Sequence, residues 1–148
     1  LATAKTNSLD SDVEPNLTLR GDRDAVSQIL INLLDNAVKY GPEGQTVRVN
    51  AARYGNKLRV CVEDEGPGVP RSERRRVWEP YRRLRQDSTH GIAGTGIGLA
   101  VVGQLVDLHG GSAWVEESTS GGARFVVELP GVTGGSEEGS PLTTGAEG

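Results

Sequence analysis

Three stretches of this chain carry residue types that could do chemistry at useful spacings. The first is "INLLDNAVKYG", Ile31 to Gly41. Read as a helix, it places Val26, Ile29, Leu30, Leu33 and Ala37 on an apolar stripe. Gln28, Asn32, Asn36 and then Lys39 and Tyr40 line up on a neighbouring ridge, at spacings of four and three. A single amide beside an apolar stripe is ordinarily half-buried and bonded to backbone. Two amides one turn apart, followed by Lys on the same ridge, are better explained by a polyanion with a metal. A carboxamide oxygen is a hard ligand suited to Mg2+, and an ammonium is a point charge suited to phosphate.

The second stretch is "VEDEGPGVP", Val62 to Pro70. In a strand over 57–64, Leu58, Val60, Val62 and Asp64 share one face. Asp64 therefore ends a buried apolar row, and a carboxylate there needs a donor. Gly66 and Gly68 let the backbone turn sharply and approach a ligand closely. A purine amino group donating to Asp64 above a glycine floor fits this pattern. An Asp that merely caps a turn fits D-x-G-x-G equally well.

The third is "GIAGTGIGLAVV", Gly91 to Val102, where Gly94, Gly96 and Gly98 lead into a helix. Unobstructed N–H groups at a helix start form an anion site. The spacing is G-x-G-x-G, which is neither the dinucleotide fingerprint nor a Walker loop. A glycine hinge without a ligand is the simpler alternative. The preceding arginine-rich loop favours the anion site.

The elements that must position these residues follow from the pattern. "LTLR" (17–20) reads as a short strand, and Asp22 caps a helix reaching Tyr40, stopped by Gly41-Pro42. Residues 46–54 and 57–64 read as strands joined by a tight Gly55-Asn56 turn. Residues 71–78 read as a short helix after Pro70, and 79–94 as a polar loop whose length suggests a lid. A second long helix spans 96–110 and ends at Gly110-Gly111, and 112–118 with 123–130 make a closing hairpin. Residues 1–7 read as loose. The expected organisation is a lead-in over 1–16 from a preceding domain, one domain over 17–130, and a disordered Gly/Ser/Thr/Glu-rich tail over 131–148.

Composition limits the classes available. The chain has 148 residues, 35% of them hydrophobic and 24% charged, which suits one soluble globular domain. It has no Met, so it is expected to be a fragment of something longer or a processed chain. No apolar run approaches membrane-spanning length. The single Cys61 excludes an internal disulfide and a Cys-based zinc site, and fits a reducing compartment. Net charge is −4, yet residues 71–85 carry seven Arg against Glu73 and Glu79, +5 locally and −9 for the rest. A basic segment on an acidic domain points to a local anion partner more than to nucleic acid. Arg74 to Arg76 read best as a solvated helix face.

In order and spacing these motifs closely resemble the catalytic and ATP-binding domain of sensor histidine kinases. That domain shares a superfamily with gyrase, the Hsp-type chaperone ATPases and the mismatch-repair ATPases. "NLLDNAVKYG" is similar to the family's N box, "VEDEGPGVP" to its G1 box, "VWEPYRRL" to its F box, and "GTGIGLAVVGQLVDLHGG" to its G2 box and following helix. The resemblance covers about Leu17 to Pro130. It implies an α+β two-layer sandwich, a mixed sheet with helices packed on one face, known as the Bergerat ATP-binding fold.

The resemblance also implies roles for single residues. Asn36 coordinates Mg2+, Asn32 and Lys39 face the phosphates, and Tyr40 lies against adenine and ribose. Asp64 receives the adenine amino group, and Gly66, Gly68 and Val69 line the base pocket. Arg83 reaches the terminal phosphate, while Gly94, Gly96, Ile97, Gly98 and Leu99 wrap the phosphates. Two departures stand out: Trp78 and Tyr81 occupy the F box where Phe is usual, and Ala123 stands where a small hydroxyl residue is frequent.

Position 32 separates subclasses. Members that hydrolyse ATP carry Glu four residues before the metal-binding Asn. Here Asn32 has no useful basicity, which suits transfer to a protein nucleophile rather than to water. Only His90 and His109 exist, and neither sits in a motif like the family's acceptor helix. His109 reads as a C-terminal cap. The implied activity is histidine protein kinase, with a fragment that binds ATP but does not phosphorylate itself. The implied partners are ATP and ADP, the His-containing dimerisation domain of the parent and a response-regulator receiver domain. Nucleic acid and direct membrane contact are not among them. The implied location is cytoplasmic, either free or as part of a membrane-anchored sensor. The competing readings are an ATP-hydrolysing or serine-kinase member of the superfamily, against which Asn32 and Lys39 speak, and a degenerate interaction module, against which the complete motifs speak.

Overall fold

Asp22 starts the long helix α1, Arg23–Tyr40, by accepting the Asp24 N–H on its side chain at 2.9 Å. Asp24 sits in the first turn and Lys39 in the last, each complementing the helix dipole. Ala25, Ile29, Leu33 and Ala37 recur at helical spacing and are buried, while Gln28 and Ile31 face outward. Gly41 ends the helix in an extended conformation, its N–H still bonded to the Ala37 carbonyl.

The computed structural model describes residues 7–79 and 98–134. Its strands are β1 (Ser8–Val13), β2 (Leu17–Leu19), β3 (Thr46–Tyr54), β4 (Lys57–Glu63), β5 (Ser112–Glu117), β6 (Ala123–Pro130) and β7 (Val132–Gly134), and its second helix is α2 (Gly98–Leu108). Five strands form one sheet in the order β1-β3-β4-β6-β5, parallel between β1 and β3 and antiparallel elsewhere. The α+β two-layer sandwich with a mixed sheet is the observed fold. Ile29, Leu33 and Ala37 of α1 and Val102 and Val106 of α2 close over Val47, Val62, Val115, Phe125 and Val127 of the sheet. The opposite sheet face carries ion pairs: Arg59 meets Glu128 at 2.6 Å, and Arg124 meets Glu63 at 3.1 Å.

Three sequence expectations change. The lead-in over 1–16 contains β1, whose six residues are all exposed and which takes its place by backbone pairing with β3. The tail expected over 131–148 begins with β7, which pairs antiparallel with β2 in a separate two-stranded sheet. There Val132, 1% exposed, packs with Leu58 and Val60. The short helix over 71–78 is instead two 3-10 turns, Arg71–Glu73 and Arg76–Trp78, since a stretch so short makes few helical bonds. The second helix is described over Gly98–Leu108, and its expected start at 96 and the loop expected over 79–94 lie outside the described residues, apart from Glu79. No helix among the described residues is long and apolar enough to cross a membrane.

Candidate functional site

The alternation that buries Leu58, Val60 and Val62 carries one residue past the end of β4 to Asp64, only 4% exposed. Its Oδ1 accepts two backbone N–H groups, from Gly66 at 2.9 Å and from Ala123 at 3.1 Å. Its backbone is fixed as well. The Asp64 N–H donates to the Ala123 carbonyl at 3.0 Å, and the Ser118 and Ser120 hydroxyls donate to the Asp64 carbonyl at 3.4 and 3.3 Å. Burial pushes the Asp64 carboxyl above its ordinary value, the bonds from Ala123 and Gly66 pull it back, and the nearby Glu63 charge adds to the rise. Such a carboxylate is under-solvated and already aligned, ready to gain from a further donor.

Glycines permit the close fit around it. A Cβ on Gly66 would lie 2.7 Å from the Tyr40 carbonyl, so only glycine lets this loop touch the end of α1. Gly68 holds φ +78, and a Cβ there would lie 3.1 Å from the Gly121 carbonyl oxygen. Val69 is buried and joins the core cluster that includes Leu33 and Ala37. The Asp64–Val69 loop is thereby seated against the C-terminal half of α1.

That half of α1 carries the polar ridge. Asn32, Asn36, Lys39 and Tyr40 are each half-buried. The Gln28 side-chain N–H donates to Asn32 Oδ1 at 3.2 Å, which verifies the one-turn spacing of the ridge. Lys39 Nζ stands 3.1 Å from Asp35 Oδ2. The Asn36 carboxamide makes no hydrogen bond among the described residues, leaving its oxygen available to a ligand. Among the described residues no group of three or more His, Cys, Asp or Glu could hold a metal, and α1 offers the Asn36 carboxamide oxygen as a hard donor. That donor set fits Mg2+, which keeps water and phosphate in its shell.

Around this centre, Arg74 corrects the expectation of a solvated face. Its Nε donates to the Val69 carbonyl at 3.0 Å and ties the turn after Pro70 to the loop. Arg75 and Arg76 are exposed, as expected. Trp78 packs edge-on against Phe125, with centroids 5.9 Å apart and planes at 87°. Leu99 packs on the core from the first turn of α2, and Gly98 opens that helix. His109 Nδ1 donates to the Leu105 carbonyl at 2.8 Å, the C-terminal capping role expected of it. Arg83, Gly94, Gly96, Ile97 and His90 lie outside the described residues. Sequence reasoning missed Ser118, Ser120 and Gln45 as supports of the site.

The family described as histidine kinase-, DNA gyrase B- and HSP90-like ATPase matches residues 21–133. The chain belongs to that family. Among curated relatives, the adaptive-response sensory kinase SasA of Trichormus variabilis is 37% identical over 130 residues, which is 86% of this chain and 32% of the relative. Of solved structures, the mycobacterial sensor histidine kinase MprB superposes with a TM-score of 0.74 at 31% identity, covering 84% of this chain and 82% of that one. Full-length ShkA in complex with AMPPNP superposes with a TM-score of 0.75 at 33% identity, covering 90% of this chain and 27% of that one. The chain spans a third or less of the curated kinases first matched, from 14% to 32% of their length. Its homologues are sensor histidine kinases, and its fold is that of their catalytic domains.

Proposed function

We propose that this chain is the ATP-binding catalytic domain of a two-component sensor histidine kinase. On this reading it binds ATP and passes the γ-phosphoryl group to a His on a dimerisation and acceptor domain of the same parent protein. The observation that carries the reading is Asp64: a buried carboxylate, held on one oxygen by two backbone N–H groups, beside a glycine loop seated on the Asn36 ridge. Asp64 takes the adenine amino group, Gly66, Gly68 and Val69 line the base, and Tyr40 borders adenine and ribose. Asn32 and Lys39 face the phosphates, Arg83 is assigned to the terminal phosphate, and Gly94, Gly96, Ile97, Gly98 and Leu99 are assigned to the phosphate chain. Asn36 would hold Mg2+, which would supply charge neutralisation along the phosphate chain.

Asn32 decides the direction of transfer. Its amide cannot take a proton from water, so ATP is positioned without being efficiently hydrolysed. The acceptor imidazole nitrogen then forms its bond to phosphorus as the bond to ADP breaks, and catalysis rests on alignment and electrostatics. The proposed setting is cytoplasmic, with a response-regulator receiver domain taking the phosphoryl group in turn.

The test is to mix the chain with an acceptor domain bearing the His and supply γ-labelled ATP. Acid-labile label on the acceptor domain is the expected result. Release of inorganic phosphate with none on the acceptor would contradict the kinase reading and favour an ATPase.

A further inference from the structure

A buried amide that the nucleotide reading does not use bonds both to α1 and to the loop after β4. Gln45, just before β3, is 1% exposed. Its Nε2 donates to the Ala37 carbonyl at 2.9 Å, and its Oε1 accepts the Glu65 N–H at 2.9 Å. Ala37 follows Asn36 on α1, and Glu65 follows Asp64 in the loop. A second tie reinforces the first: the Thr46 N–H donates to Glu65 Oε1 at 3.2 Å. The Gln45 carbonyl accepts the Ser8 N–H at 3.0 Å, which anchors the residue to β1. Gly41 makes the room, since a Cβ there would run into the Gln45 carboxamide.

A buried carboxamide is costly unless both ends are bonded, and an apolar side chain of similar shape would fill the space without that demand. Here both ends are bonded, each to a backbone group adjacent to a residue at one end of the site. We propose that Gln45 is a positioning residue that fixes the span between Asp64 and the Asn36–Lys39 ridge. It thereby sets the affinity for a base and its phosphates bound together. The inference rests on the nucleotide reading above. Two subsites reinforce one another on a single ligand only when their spacing matches it, and a misplacement of about 1 Å can cost on the order of a hundredfold. A ligand that fills one subsite is indifferent to the span.

The experiment is an amide NMR titration of wild type and Q45M with adenosine, which occupies the base end alone, and with ADP plus Mg2+. In Q45M, adenosine affinity is expected to stay within about threefold of wild type, while ADP affinity falls roughly tenfold or more. Equal weakening of both ligands would make Gln45 ordinary core support and overturn the proposal, as would no change in either. Wild type that binds neither ligand contradicts the nucleotide reading itself. If Q45M does not fold, hydrogen exchange on wild type decides. ADP should slow exchange at the Glu65 N–H more than adenosine does, and equal slowing overturns the proposal.

Discussion

Asp64 ties fold and ligand together through one carboxyl group whose two roles oppose each other. Burial raises its pKa, so folding disfavours the carboxylate relative to its state in the unfolded chain. The stability this group confers is full below its ordinary value of 3.8 and is lost as pH rises through the higher native value. Ligand binding runs the other way, because an adenine amino donor prefers the carboxylate. Adenosine affinity should therefore fall toward acid pH, with a midpoint above 3.8. Adenosine carries no phosphate to titrate, so an NMR titration at several pH values, compared with the protonation of adenine N1 in the free ligand, reads the Asp64 contribution. A profile flat down to 3.8 would remove Asp64 from the base site.

The elements position this residue by ordinary packing, and most of that packing is legible in the chain. Asp22, the Ile29–Leu33–Ala37 spacing and Gly41 announce α1, and the alternation from Leu58 to Asp64 announces both a strand and its buried carboxylate. Strands β1 and β7 are not legible, for a physical reason. Every β1 residue is exposed and its partner is distant in sequence, so no apolar period marks it. β7 offers one buried side chain, Val132, inside a glycine-rich run that reads as linker. Gln45 is hidden for a related reason: its partners are backbone groups of two separate segments, which no local pattern reveals. A truncation ending at Gly131 tests β7. It removes the cover of Leu58 and Val60 and should lose about 1.5–3 kcal/mol in urea unfolding, the scale of one buried aliphatic side chain. A tail that contributes nothing would leave the midpoint unchanged.

At the scale of the whole molecule, the sheet and helices form a frame, and the site is where two of its parts meet. The Asp64–Val69 loop supplies a fixed carboxylate, and α1 supplies amides and an ammonium. Gly66, Gln45 and Arg74 hold them in register. A ligand bridging both parts must stabilise the native fold as a whole, by about 2.7 kcal/mol at a hundred times its dissociation constant. Asn at position 64 would keep an oxygen for the Gly66 and Ala123 N–H groups and would shed the buried charge. Thermal unfolding of wild type and Asp64→Asn, each with and without Mg2+ and ADP, tests the central claim most directly. Wild type should gain several degrees with ligand, while Asp64→Asn should unfold no lower than wild type when ligand-free and gain nothing. An equal gain in both proteins would contradict the account.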